Sequence, residues 1–170
     1  MPQKKDPADW HMVPATTPEL EAVSKKCRRL VIRRAAFSAG VSAVPIPGLD
    51  LITDLGLLSK LIEDINREFG LTPAQIERLQ PHLRVATYQA IVGTGSTMIG
   101  KLITSGLVIR LVQRLGVKMA LKRTAKFVPI AGQVVSAALG FAVFRAIGNQ
   151  HIEACAEVAA ELVSLRLTTA

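Results

Sequence analysis

The sequence predicts an all-α protein: a single compact helical domain of five to seven helices, two of them core helices that start at a proline-glycine turn. Three observations carry this. Apolar residues recur at spacings of three and four, as in Leu51, Leu55, Leu58 and Ile62, which is the period of a helix face. No run of apolar and polar residues alternating with period two, bounded by turns, is found anywhere in the chain. Hydrophobic residues make up 49% of the chain but aromatic ones only 4%, which argues against both disorder and an aromatic-rich β-sandwich. At 170 residues the chain suits one domain with a sizeable core.

Residues 1–15, with Lys4, Lys5, Asp6 and three prolines, lack periodicity and read as a polar, mobile arm; residues 16–170 form the helical domain. Acids and the lack of an apolar run also argue against a secretory signal peptide over residues 1–10. The first helix opens at Thr16, Thr17, Pro18 and Glu19, a capping threonine followed by an early proline and a first-turn acid, and runs to about residue 42. Pro45 and Pro47 break it, because proline disfavours helical geometry in the residue before it. The second helix covers about 47–69, with Gly70 as its C-terminal cap. Thr72, Pro73, Ala74 and Gln75 spell a capping box for a short third helix limited by Pro81. A long small-residue helix is expected over 82–115, kinked near Gly93 and Gly95, then a short basic piece over 117–126 and a last helix over 130–165. The expected core is Leu51, Leu55, Leu58, Ile62, Ile99, Leu102, Leu107, Val135, Leu139 and Val143.

One repeat is visible. Val44, Pro45, Ile46 and Gly48 recur as Val128, Pro129, Ile130 and Gly132, and at the same offset Leu55 and Gly56 fall on Leu139 and Gly140. Pro45, Pro47, Gly48, Pro129 and Gly132 are therefore read as structural turns, with the glycines as points where helix backbones approach closely. Leucine at Gly48 or Gly132 is then expected to overpack a contact.

Charge points to a class of partner. Lys and Arg total 21 against 13 acids, a net charge of +8, so an anionic surface is the natural electrostatic counterpart. The basic residues cluster: Lys25, Lys26, Arg28, Arg29, Arg33 and Arg34 lie in one part of the first helix, with Lys25, Arg29 and Arg33 in a stripe at spacing four, and Lys118, Lys122, Arg123 and Lys126 form a second group. These seven, Lys25, Arg29, Arg33, Lys118, Lys122, Arg123 and Lys126, are the candidate membrane or partner surface; a solvated helix face is the plainer account of any one of them. Nucleic acid is not expected, because the aromatics that would stack on bases are scarce. Of the charge-free stretches 35–49, 85–100 and 127–144, only the last reaches the lower end of the roughly 17–25 residues that span a bilayer.

No motif carries chemistry. Gly95 to Leu102 nearly spells a phosphate-binding loop around Lys101, but Leu102 stands where a hydroxyl must hold Mg²⁺, and the flanks read as helix. Asp50 and Asp54 share a helix face, where Asp50 suits the dipole and Asp54 can pair with Arg33 or Arg34. His151 and Cys155 share a turn, yet a metal needs further ligands that no spacing supplies, and Cys27 and Cys155 make neither a disulfide scaffold nor a zinc module. The expectation is a protein that is not an enzyme and has no cofactor or metal.

The order and spacing of residues 43–50 (Ala-Val-Pro-Ile-Pro-Gly-Leu-Asp), Leu57-Leu58, Phe69-Gly70-Leu71 and Val128-Pro129-Ile130-Ala131-Gly132 carry a resemblance. Over about residues 28–150 the chain resembles the bacterial domain of unknown function 697, a helical domain often joined to a GTPase in inner-membrane proteins, and is similar to the helical domain of the immunity-related GTPases. The resemblance implies an α-helical module working on or in a membrane beside a GTPase, although this chain carries no GTPase portion. The functional expectation is a non-enzymatic protein at the cytoplasmic face of the inner membrane, peripheral or inserted through a hairpin of residues 85–109 and 127–148. It is also open to forming a homo-oligomer. The alternatives are a soluble, cytoplasmic helical adaptor that docks a protein partner, and a pore-forming effector.

Overall fold

The computed structural model describes residues 12–41, 49–101, 110 and 132–169. These contain helices and no strand. In chain order they are α1 (Thr17–Val41), α2 (Leu49–Glu68), the single-turn α3 (Pro73–Ile76), α4 (Pro81–Gly93) and α5 (Gly132–Thr169).

The caps read from the sequence are present. Thr16 Oγ1 accepts from the Glu19 N–H at 3.4 Å while Glu19 Oε2 accepts from the Ala15 N–H at 2.9 Å, satisfying donors that the first turn leaves without helical partners. Gly70 ends α2 at φ +70°. Its N–H donates to the Arg67 carbonyl and that of Leu71 to the Asn66 carbonyl, the paired bonds of a Schellman motif. At α3 the Thr72 hydroxyl accepts from the Gln75 N–H at 3.3 Å and the Gln75 side-chain oxygen from the Thr72 N–H at 3.1 Å.

Two expectations fail. The long helix over 82–115 stops at Gly93: Thr94 N–H closes on the Ala90 carbonyl, Gly95 N–H on that of Val92, and Gly95 turns at φ +64°. What read as a kink is therefore a helix end, and the first limb of the expected hairpin is not one helix. Residues 94–101 fold back instead, with Met98 and Ile99 buried and the Gly100 N–H bonded to the Leu71 carbonyl at 3.1 Å. The arm also ends differently. Val13 is buried, and Arg166 near the end of α5 donates to the Val13 and Pro14 carbonyls, so residues 13 and 14 are docked on the domain.

The core lies where α5 packs along α1 and also touches α2 and α4. Cys27, Val31 and Ala35 form the buried stripe of α1; Leu58, Leu61, Ile62, Ile65 and Phe69 that of α2; Phe144, Ile147, Ile152, Cys155, Val158, Ala159 and Leu162 that of α5. Leu58, Ile62 and Ile99 are core as expected. Leu102 and Leu107, and the side chains of Leu51, Leu55, Val135, Leu139 and Val143, lie outside the described residues.

The close approach of α1 and α5 is at Gly148. A Cβ there would stand 2.6 and 2.8 Å from the two methyls of Val31. Gly56, which the repeat suggested as such a contact, is exposed with nothing within 4 Å of a Cβ. Pro45, Pro47, Gly48 and Pro129 lie outside the described residues, and Gly132 is the first residue of α5.

Candidate functional site

Two features outside ordinary core packing stand out, one at the surface and one buried. The first is the exposed side of α1. Lys25, Arg28, Arg29 and Arg33 are all exposed; Ile32, 49% exposed, lies among Lys25, Arg29 and Arg33, and Phe37, 62% exposed, lies on the flank opposite Arg28. Residues 25, 29, 32 and 36 follow one another at spacings of three and four, so cations and apolar groups share one face. No acid occurs between residues 22 and 41. Among the described residues, none of the ion pairs involves Lys25, Arg28, Arg29 or Arg33.

The other two cations of the cluster do something different. Lys26 pairs with Glu68 at 2.7 Å, and Arg34, half-buried, donates to Asp64, which Arg67 also reaches at 3.1 Å. These bonds tie α1 to α2. Arg34 thus pairs with Asp64, ten residues beyond the Asp54 that the sequence suggested; the side chain of Asp54 lies outside the described residues. Lys118, Lys122, Arg123 and Lys126 lie outside them too, so the second basic group has no described place.

The second feature is a buried polar cluster linking α2, α5 and the 94–101 segment. Asn66 donates through Nδ2 to the Met98 carbonyl at 2.9 Å, which turns its Oδ1 toward His151 Nε2 at 2.8 Å and the Cys155 thiol at 3.6 Å. An amide oxygen only accepts, so Nε2 carries the imidazole hydrogen. His151 and Cys155 sit one turn apart on α5, with Sγ 3.7 Å from Nε2. Sequence reading found the pair but not Asn66, whose partner lies 85 residues away.

The surroundings of this cluster disfavour charge on either group. Burial holds the His151 imidazole down at about 4 and pushes the Cys155 thiol well up, so the pair stays neutral rather than forming a thiolate and an imidazolium. Burial, helped by the Glu68 carboxylate, pushes Cys27 up to about 12. The expected result is that 5,5′-dithiobis-(2-nitrobenzoate) labels neither Cys27 nor Cys155 at pH 8 in the native protein, at least about a thousandfold slower than in denaturant; rapid native labelling would contradict these environments. Among the described residues no group of three or more His, Cys, Asp or Glu is placed to hold a metal.

The described part of the near-phosphate loop, up to Lys101, does not have the setting of a phosphate loop. The segment follows a helix where a phosphate loop requires a strand, and Met98 and Ile99 point into the core. Of the motifs behind the resemblance, Phe69, Gly70 and Leu71 are buried at the end of α2, while residues 43–48 and 128–131 lie outside the described residues. Compared with known proteins, the chain matches no protein-family model, no curated protein and no solved structure.

Proposed function

We propose that the protein is a non-enzymatic helical module that binds an anionic membrane surface through the exposed face of α1. A single observation carries the reading: Lys25, Arg29 and Arg33 share that face with exposed Ile32, while Arg28 and Phe37 are exposed on its two flanks. Cations beside exposed apolar groups suit an interface in which guanidinium and ammonium groups meet lipid phosphates while the apolar side chains enter the acyl boundary. Each basic residue near such a surface is worth about 1 kcal/mol. No helix among the described residues is long and apolar enough to cross a membrane, and the proposal is one of surface binding. The cytoplasmic leaflet of an inner membrane suits the charge, and a separately encoded GTPase is the partner the motif resemblance implies.

The test is partition of the full chain between buffer and vesicles of phosphatidylcholine alone or with phosphatidylglycerol, at low and high salt. Binding is expected only to the anionic vesicles, and the triple variant Lys25→Gln, Arg29→Gln, Arg33→Gln should weaken it roughly 100-fold. Equal binding to neutral vesicles, or no effect of the triple variant, would refute the role given to this face.

A second reading rests on α4, where Val85, Tyr88 and Val92 are exposed at spacings of three and four. Such a stripe supports an adaptor that docks a protein partner. Failure to bind either vesicle would favour it.

A further inference from the structure

We propose that the Asn66–His151–Cys155 cluster is an acid-sensitive latch that holds α5 against α2 and opens when His151 takes a second proton. The proposal goes beyond the membrane reading and does not depend on it. It starts from geometry. His151 is buried, and its Nε2–H is committed to Asn66 Oδ1. Asn66 is itself fixed by its bond to the Met98 carbonyl, so the amide cannot turn to offer anything to an added proton. A second proton must enter at Nδ1 and make a cation inside the core.

Nothing facing the imidazole compensates that charge among the described residues. From α1 the titratable neighbour of the cluster is Cys27, and from α5 it is Cys155, both neutral thiols. The acids of α2 whose side chains are described are engaged elsewhere, Glu63 and Asp64 with Arg67 and Glu68 with Lys26. On α4, Arg84 pairs with Glu77, while His82 and Tyr88 are exposed, as are Arg78 beyond α3, Lys101 at the end of the 94–101 segment, and Glu153 and Glu157 on α5. Only burial acts on His151, and it holds the imidazole at about 4.

The direction of the effect follows from linkage. A histidine free in water takes its proton near pH 6.5, so between there and about pH 4 the open form binds a proton that the closed form refuses. The closed form therefore loses stability as pH falls through that window, and the loss levels off below it. The cheapest relief is local opening of α5 around His151, which hydrates the cation and releases its bonds to α2 and, at Gly148, its contact with Val31 of α1.

Amide hydrogen exchange reads this directly. In the wild-type chain, opening constants over residues 147–158, corrected for intrinsic exchange, should rise about 20-fold from pH 7 to pH 5. His151→Gln retains a donor toward Asn66 but cannot titrate, and should abolish the rise. His151→Leu, which cannot titrate either, should abolish it as well. An equal opening constant at both pH values in the wild type overturns the proposal, as does an undiminished rise in His151→Gln. Should His151→Gln not fold, His151→Leu takes its place beside the wild type: a rise of wild-type size in that variant also overturns it.

Discussion

Leucine at Gly148 is expected to lower the unfolding free energy by about 4 kcal/mol, above the roughly 1–3 kcal/mol usual for overpacking. The reason is local. A Cβ at this position already lies 2.6 and 2.8 Å from the Val31 methyls and 3.3 Å from Val31 Cβ. Valine in a helix has one strongly preferred rotamer, so it cannot swing both methyls aside. Relief has to come from parting α1 and α5 along the most extensive seam among the described helices. Gly148→Ala should cost about 1–2 kcal/mol, because the clash of one methyl is partly offset by the roughly 1 kcal/mol that alanine gains over glycine inside a helix. The contact can be identified by rescue. Val31→Ala removes both offending methyls, so the double variant Val31→Ala, Gly148→Ala should be more stable than the sum of the single changes allows, by at least about 1 kcal/mol. Urea unfolding of the four proteins measures it; strict additivity would show that Gly148 is not the contact.

How far this seam could be read beforehand shows where the sequence informs. Helix class, the Thr16 and Thr72 caps and the Gly70 stop were legible because each is set by residues within a few positions of one another. The repeat pointed to Gly56, which has open space, and to Gly48 and Gly132, whose contacts lie outside the described residues, whereas a close approach falls at Gly148, and its cause is Val31 on another helix. Close packing is a property of two surfaces, and one sequence segment specifies only one of them. The end of α4 was misread for a different reason. Residues 85–100 carry no charge to mark a boundary, so from the sequence alone the Gly95 stop looks the same as a kink in a continuous helix.

The candidate surface was legible in part. Lys25, Arg29 and Arg33 fall on the exposed side of α1, as their spacing implies, because charged heads stay in water. Ile32 and Phe37 were not distinguishable from core residues by type. Their exposure follows from the register of Cys27, Val31 and Ala35, which turn the opposite side of the helix inward. Lys26 and Arg34 each lie beside acids of α2. Arg34 is turned toward α2 by helical phase, whereas Lys26, nearly in phase with Arg33, is tied by Glu68 lying within its reach.

Asn66→Ala is expected to cost about 3–5 kcal/mol, although it removes one small side chain from a helix that would otherwise favour alanine. Asn66 bridges three separate parts of the fold: its amide holds the Met98 carbonyl, and its oxygen takes the His151 N–H and faces the Cys155 thiol. Truncation leaves a buried carbonyl and a buried imidazole N–H without partners, and each such orphan costs about 1–3 kcal/mol. The ion pairs nearer the surface offer no comparable effect, since exposed pairs are worth about 0–1 kcal/mol. Loss of partners can be separated from loss of volume by removing the imidazole as well. Asn66→Leu alone should be about as damaging as Asn66→Ala, whereas Asn66→Leu with His151→Leu eliminates the unmet N–H and should recover at least about 1 kcal/mol. A double variant no more stable than the additive expectation would mean that the two residues act independently, and the cluster would then owe its place in the core to packing alone.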